Sequence, residues 1–207
     1  MSENGQDSGG LRILAADEDR EALRQTAEVL GTLGHEVTAS AIDLAEATEA
    51  VAREDPDLSV VVVHHDDEHA LALIEEIGAF ARGPVIALVI GDDPSFVTRA
   101  AERGIYACAR EMEPEALRSA IEVALRRHAE NERLIEEVGR LESAIERRAV
   151  IERAKGILME RHGVGEREAF EMLRTHARSH SRPVVQVAGT VVDGLALLPR
   201  NGRAKGA

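Results

Sequence analysis

The stretch RAVIERAKGILMERHG, Arg148 to Gly163, carries the residue types that grip phosphate. On a helix, Arg148, Glu152, Lys155 and Met159 fall at i, i+4, i+7 and i+11, opposite Ala154, Ile157 and Leu158, so Arg148 and Lys155 are expected to project outward on one stripe. Lys155 is one of two lysines in the chain, and Gly156 follows it inside the helix, where glycine costs about 1 kcal/mol relative to alanine. The placement is expected to leave room beside the ammonium for a ligand approaching the backbone; close helix packing at Gly156 is the competing explanation. Arg174 at the end of the next helix and Arg182 at the opening of the third add planar guanidinium forks. With Ala154 and Gly156 as a shallow surface between these cations, the set suits the phosphates of a nucleic acid. Phe170, the segment's only aromatic, lies on the apolar face and is expected in the core.

A second group of candidates lies upstream. Asp17 and Glu18 follow the apolar run LRILAA as an acidic pair. The segment HHDDEH, His64 to His69, clusters imidazoles and carboxylates, but it falls in a loop where no spacing fixes a coordination geometry, so no metal site is assigned. The single cysteine, Cys108, excludes an intramolecular disulfide framework and reads as a small core residue. No nucleophile has a base at hand and no glycine loop cradles phosphate, which argues against an enzyme and implies no cofactor.

The elements that must position these residues can be traced from Leu11. Short apolar runs (LRILAA, HEVTAS, DLSVVVV, PVIALVI, IYACA) alternate with helical patterns, which implies a doubly wound, five-stranded parallel sheet. The near-continuous runs VVVV and VIALVI fit strands buried on both faces. From Glu115 to about Arg161 there is no proline and only two glycines, a helix of roughly 70 Å at 1.5 Å per residue. Ala124, Asn131, Val138 and Ile145 at a, with Leu134 and Leu141 at d, suggest a short parallel coiled coil, Asn131 fixing register in a homodimer. Packing of this helix inside its own chain is the alternative. Two further helices follow, with Gly165 at a cap position, Ser181 able to cap and Pro183 in a first turn, to close a small three-helix bundle.

Charge separates the two halves. The net charge is −13 over 207 residues, yet residues 1–145 hold 13 Lys/Arg against 31 Asp/Glu, whereas residues 146–207 hold 12 against 7. A basic module on an acidic carrier points to nucleic acid at the carboxyl-terminal end. Aromatics at 2% leave no extended stacking surface. The amino terminus, MSENGQDSGG, lacks the basic start and apolar run of a signal peptide, and no stretch approaches the roughly 18 apolar residues of a membrane span, so a cytoplasmic protein is expected.

Residues 11–125 resemble the receiver domain of two-component response regulators, a flavodoxin-like fold. The resemblance places Asp17 and Glu18 at that family's acidic pair, Val62 at the phosphoacceptor and Val89 at the hydroxyl position. Glu111, or Arg110 with a one-residue slip, stands at the lysine position. Valine offers no oxygen to phosphorus and a glutamate adds like charge, so the pocket is read as degenerate and phosphotransfer as absent. From Arg148 to Val192 the sequence resembles the ANTAR domain, the AmiR and NasR transcription antitermination regulator module, most specifically in AKGILM (Ala154 to Met159), Ala169-Phe170, Leu173-Arg174 and Val187-Ala188. That resemblance implies a dimeric three-helix module on a coiled coil, which binds paired stem-loops with six-nucleotide loops in leader RNA and favours the antiterminated transcript.

The organisation that follows is a disordered tail at 1–10, a pseudo-receiver at 11–125, a coiled-coil linker at 115–147, an RNA-binding domain at 148–198 and a disordered basic tail at 199–207. Dimerisation is assigned to Asn131, Leu134, Val138, Leu141 and Ile145, and a regulatory protein docking on the acidic domain is the expected route of control. A DNA-binding regulator and a pure protein-interaction adaptor are the competing function classes.

Overall fold

The computed structural model describes residues 10–64, 68–90, 94–110 and 112–196; all but Gly10 of the expected tails, and Glu111 of the expected pocket, lie outside them. Five parallel strands, β1 (Arg12–Ala16), β2 (Glu36–Ala41), β3 (Leu58–Val63), β4 (Val85–Val89) and β5 (Ala107–Arg110), form one sheet in the order β2-β1-β3-β4-β5. Helices α1 (Arg20–Thr32), α2 (Leu44–Glu54), α3 (Glu68–Phe80) and α4 (Pro94–Glu102) connect them. Parallel strands need such crossovers, and the helices cover both sheet faces. β3 sits in the middle with all six residues buried, which is why its last four are all valine.

Alternate residues of β3 feed two cores. Val61 and Val63 join Leu14, Leu73, Ile74 and Phe96 on one side, whereas Val60 and Val62 join Ile13, Leu88, Leu117 and Ile121 on the other. Cys108 is half-buried against the first of these. Asp19 and Asp43 cap α1 and α2 by accepting from the backbone N–H of Glu21 and Glu46, satisfying donors that the helix start leaves free.

α5 runs unbroken from Pro114 to His162, and the chain divides into two compact units within it, between Arg133 and Leu134. Leu117, Ala120, Ile121 and Ala124 bury the start of α5 on the sheet. The next turns are also tied to the first unit. Arg127 donates to the Tyr106 carbonyl at 3.0 Å, and Asn131 Nδ2 donates to the Tyr106 hydroxyl at 3.2 Å. The first expected heptad is therefore corrected at Ala124, which is fully buried in its own domain, while the amide of the exposed Asn131 donates to Tyr106. Beyond that point Leu134, Val138, Leu141 and Ile145 are 47%, 53%, 58% and 69% exposed.

In the second unit α6 (Glu166–Ser179) and α7 (Val184–Ala196) pack with the end of α5. Ala154, Leu173, Ala177, Val187 and Ala188 are the buried centre, with Val150, Leu158, Val184 and Val191 around it. Gly163, at φ 66°, turns the chain out of α5 and donates to the Met159 carbonyl, a left-handed cap that glycine adopts without strain. Ser181, at φ 50°, makes the corresponding turn between α6 and α7. Among the described residues, no helix is long and apolar enough to cross a membrane.

Candidate nucleic-acid interface

Lys155 is not the free cation that the helical stripe suggests. Its side chain is 9% exposed, and Nζ lies 2.8 Å from Glu152 and 2.6 Å from Glu166. Glu152 is one turn back on α5, but Glu166 opens α6, so the ammonium fastens the two helices together. The carboxylates themselves are 52% and 71% exposed, which places this cluster at the rim of the bundle. The hydrogen bonds that Lys155 donates to Glu152 and Glu166 raise its pKa above its already high ordinary value, and the bond to Glu166 lowers that of Glu166.

The neighbours of Lys155 part company. Ala154 is fully buried in the three-helix core, so it offers no surface, which corrects its assignment to a shallow docking floor. Gly156 is exposed, and a Cβ added there would meet nothing within 4 Å, so close packing does not account for the glycine. Phe170 is 36% exposed, although it was expected in the core. The buried stripe of α6 is Ala169, Leu173 and Ala177, at i, i+4 and i+8, and Phe170 lies one residue, about 100°, off it. That phase was readable in the sequence and marks Phe170 as the module's exposed aromatic.

The arginines hold the free charge. Arg148, Arg153, Arg161, Arg167, Arg178 and Arg182 are exposed and make no side-chain hydrogen bond or ion pair with any described residue. Arg174 pairs with Glu171 at 3.1 Å, while its Nε is buried without a partner. No hydrogen bond or ion pair joins Arg148, Arg174 and Arg182 among the described residues, but Arg182 does share a cavity of about 240 Å³ with Leu158, Met172, Leu173, His176, Val187, Thr190 and Val191. His176 and His180, one turn apart at the end of α6, are stacked with ring centroids 4.1 Å apart. With Arg174, Arg178 and Arg182 they form an alternation of Arg and His through the α6–α7 turn, a pattern visible in RTHARSHSR.

At the other end of the chain, Asp17 is 2% exposed, and its carboxylate accepts from Asp19 N–H at 2.9 Å and lies 3.1 Å from His64 Nε2. Burial raises the Asp17 pKa, and the bonds to Asp19 and His64 only partly offset this. Glu18 points to solvent. Val62 and Val89 are both buried, but they do not line one pocket: Val62 pairs with Leu88 and Val63 with Val89, so the two side chains enter opposite cores. His64 is the one described residue of the loop's opening; His65, Asp66 and Asp67 lie outside the described residues, and His69 belongs to α3. Among the described residues, no group of three His, Cys, Asp or Glu is arranged to hold a metal.

Comparison with known proteins follows the same division. The ANTAR domain family matches residues 139–192. A receiver domain protein (CheY-like) from Methanospirillum hungatei superposes with a TM-score of 0.50 at 20% identity, over 59% of this chain and 98% of its own. NtrX from Brucella abortus does so at 0.52 and 24%, over 70% of this chain and 34% of its own. A receiver-like sheet followed by an ANTAR domain defines a transcription regulator of the response-regulator class. Over 185 residues the chain is 30% identical to the transcriptional regulatory protein PdtaR of Mycobacterium tuberculosis, covering 89% of this chain and 90% of that relative. The chain belongs to this family, the ANTAR response regulators.

Proposed function

We propose that this regulator binds stem-loop RNA in transcript leaders as a dimer and promotes antitermination, and that its receiver-like domain is not switched by aspartyl phosphorylation. The observation that carries the reading is the set of exposed, unpaired arginines on the ANTAR unit. Cations without intramolecular partners are free to replace the counterions of a phosphate backbone. Arg148, Gly156, Arg174 and Arg182 remain in the proposed interface, Phe170, His176 and Arg178 join it, and Lys155 acts from behind it by holding α6 against α5. The exposed seam of Leu134, Val138, Leu141 and Ile145 brings two copies together, so that two modules meet two hairpins.

The pseudo-receiver reading rests on side chains. Val62 and Val89 offer no oxygen, and Asp17 is held by His64. Control then enters through a partner protein on the acidic unit or through dimerisation. The test is competition in a gel shift between a tandem stem-loop RNA and duplex DNA of equal length, from low to physiological salt. Preference for RNA with a steep salt dependence is the expected result; preference for DNA overturns it, and binding to neither leaves a protein-interaction adaptor. Incubation with acetyl phosphate and Mg²⁺ is expected to leave the intact mass unchanged, and a stable added phosphate on the first unit overturns the pseudo-receiver.

A further inference from the structure

We infer that the cavity at the α6–α7 turn holds one unstacked nucleobase of the bound RNA loop, with its face against His176 and its edge read by Arg182; this rests on the RNA-binding reading above. The slot has the right construction. Leu158, Met172 and Leu173 form an apolar floor from two helices, and the exposed side chains of His176, Arg182 and Thr190 form its rim. Its volume of about 240 Å³ is below the roughly 300–1,000 Å³ of pockets for drug-sized ligands, so it suits a flat group the size of one base.

Thr190 Oγ1 donates to the Gln186 carbonyl, but the rest of the rim carries hydrogen-bonding capacity that no described residue uses. The guanidinium of Arg182 and the ring of His176 make no hydrogen bond with any described residue. His180, by contrast, is anchored, its Nδ1 lying 3.0 Å from the His176 carbonyl and 2.9 Å from Ser179 Oγ. The stacked pair therefore presents His176 as a flat wall braced from behind, with both of its ring nitrogens available. Covering this rim with an apolar side chain would dehydrate those groups without pairing them, which is unfavourable, whereas a base supplies a flat face and an edge of acceptors. The unpaired Arg178 in the same turn supplies charge for the phosphates on either side. In a module whose single aromatic lies elsewhere on α6, the imidazole plane of His176 takes the stacking role.

The test uses the full chain. From a pool of tandem hairpins with randomised six-nucleotide loops the tightest binder is selected, and each loop nucleotide is then made abasic in turn. One position is expected to lose about tenfold or more in affinity when its base is removed. His176→Ala and Arg182→Ala, both at exposed sites, are each expected to weaken the intact RNA by a similar factor and to weaken that one abasic RNA no further. Variants that weaken intact and abasic RNAs equally at every position act through charge alone and overturn the slot, while RNA binding itself stands. Failure of the whole pool to bind overturns the RNA reading and the slot with it. A shift in the monomer–dimer equilibrium of His176→Ala without RNA, measured by sedimentation, assigns the slot to a second copy and overturns the base.

Discussion

The two units of this chain differ in how they pair their arginines: most of those in the first meet a carboxylate, although Arg20, Arg118 and Arg127 do not among the described residues, and most of those in the second do not. In the first, Arg12, Arg24, Arg53, Arg82, Arg99 and Arg103 each meet a carboxylate, as in Arg53–Glu49 at 3.0 Å and Arg99–Glu68 at 2.7 Å. In the second, Arg140, Arg147, Arg148, Arg153, Arg161, Arg167, Arg178 and Arg182 meet none among the described residues, and the one cation that is doubly paired is the lysine. A negative total charge therefore does not describe what a phosphate backbone would encounter. Cations already balanced within the protein add little to nucleic-acid affinity, because the counterions they displace are offset by carboxylates at the same place. Charge has to be counted after pairing, and pairing is a property of the fold.

The largest expected effect breaks this contrast directly. Arg148→Glu with Arg178→Glu should lower stem-loop RNA affinity by two orders of magnitude or so, and should flatten the dependence of log affinity on log salt by about one unit per contact removed. Arg24→Glu with Arg53→Glu, the same change of charge on the paired unit, should leave RNA affinity unaltered. Filter binding over a salt series reads both; equal losses from the two units would end the distinction.

The second contrast lies within α5, between the turns fastened to Tyr106 and those exposed beyond Arg133. Val138→Asp with Leu141→Asp should convert the dimer to monomer, since each buried aliphatic side chain contributes about 1.5–3 kcal/mol. Asn131→Ala should weaken dimerisation far less, because its amide already has a partner in Tyr106 of its own chain. Sedimentation velocity at several concentrations separates the two outcomes, and an Asn131→Ala monomer would restore the first heptad to the seam.

The sheet and the helix order were legible because periodicity reports burial, and β3 could be read as buried on both faces from its valines alone. Long-range partners were not legible. Nothing in AKGILM says that Glu166, eleven residues on and across a turn, reaches back to Lys155, so a buried tether read as an exposed contact. Asn131 fits a heptad equally well whether it faces a second copy or Tyr106, twenty-five residues away. The exposure of Phe170 is legible in the sequence, because the phase of Ala169, Leu173 and Ala177 turns it off the buried stripe whatever its aromatic character. The slot at the α6–α7 turn needs three helices to form and has no linear signature.

Two smaller effects sharpen the contrast between residues that hold the module and residues that face its ligand. Gly156→Ala meets no neighbour, so it should raise helix stability by up to about 1 kcal/mol while weakening RNA binding if a loop lies against the backbone there. Thermal melts and affinities of one variant give both answers, and a gain in stability with unchanged affinity removes Gly156 from the interface. The Lys155–Glu166 tether is smaller still and depends on pH. Lys155 holds the Glu166 pKa below its ordinary 4.5, so the tether stabilises the fold fully above that value and is lost as pH falls through the lowered one. Wild type should therefore exceed Glu166→Gln in stability at pH 7, and the gap should close under acid. Glu21→Gln is the paired-unit counterpart: Arg24 holds Glu21 at about 2, so its gap should persist to lower pH than that of Glu166. Gaps that close together would mean that the rim carboxylate of the ANTAR unit is bound no differently from a surface ion pair on α1.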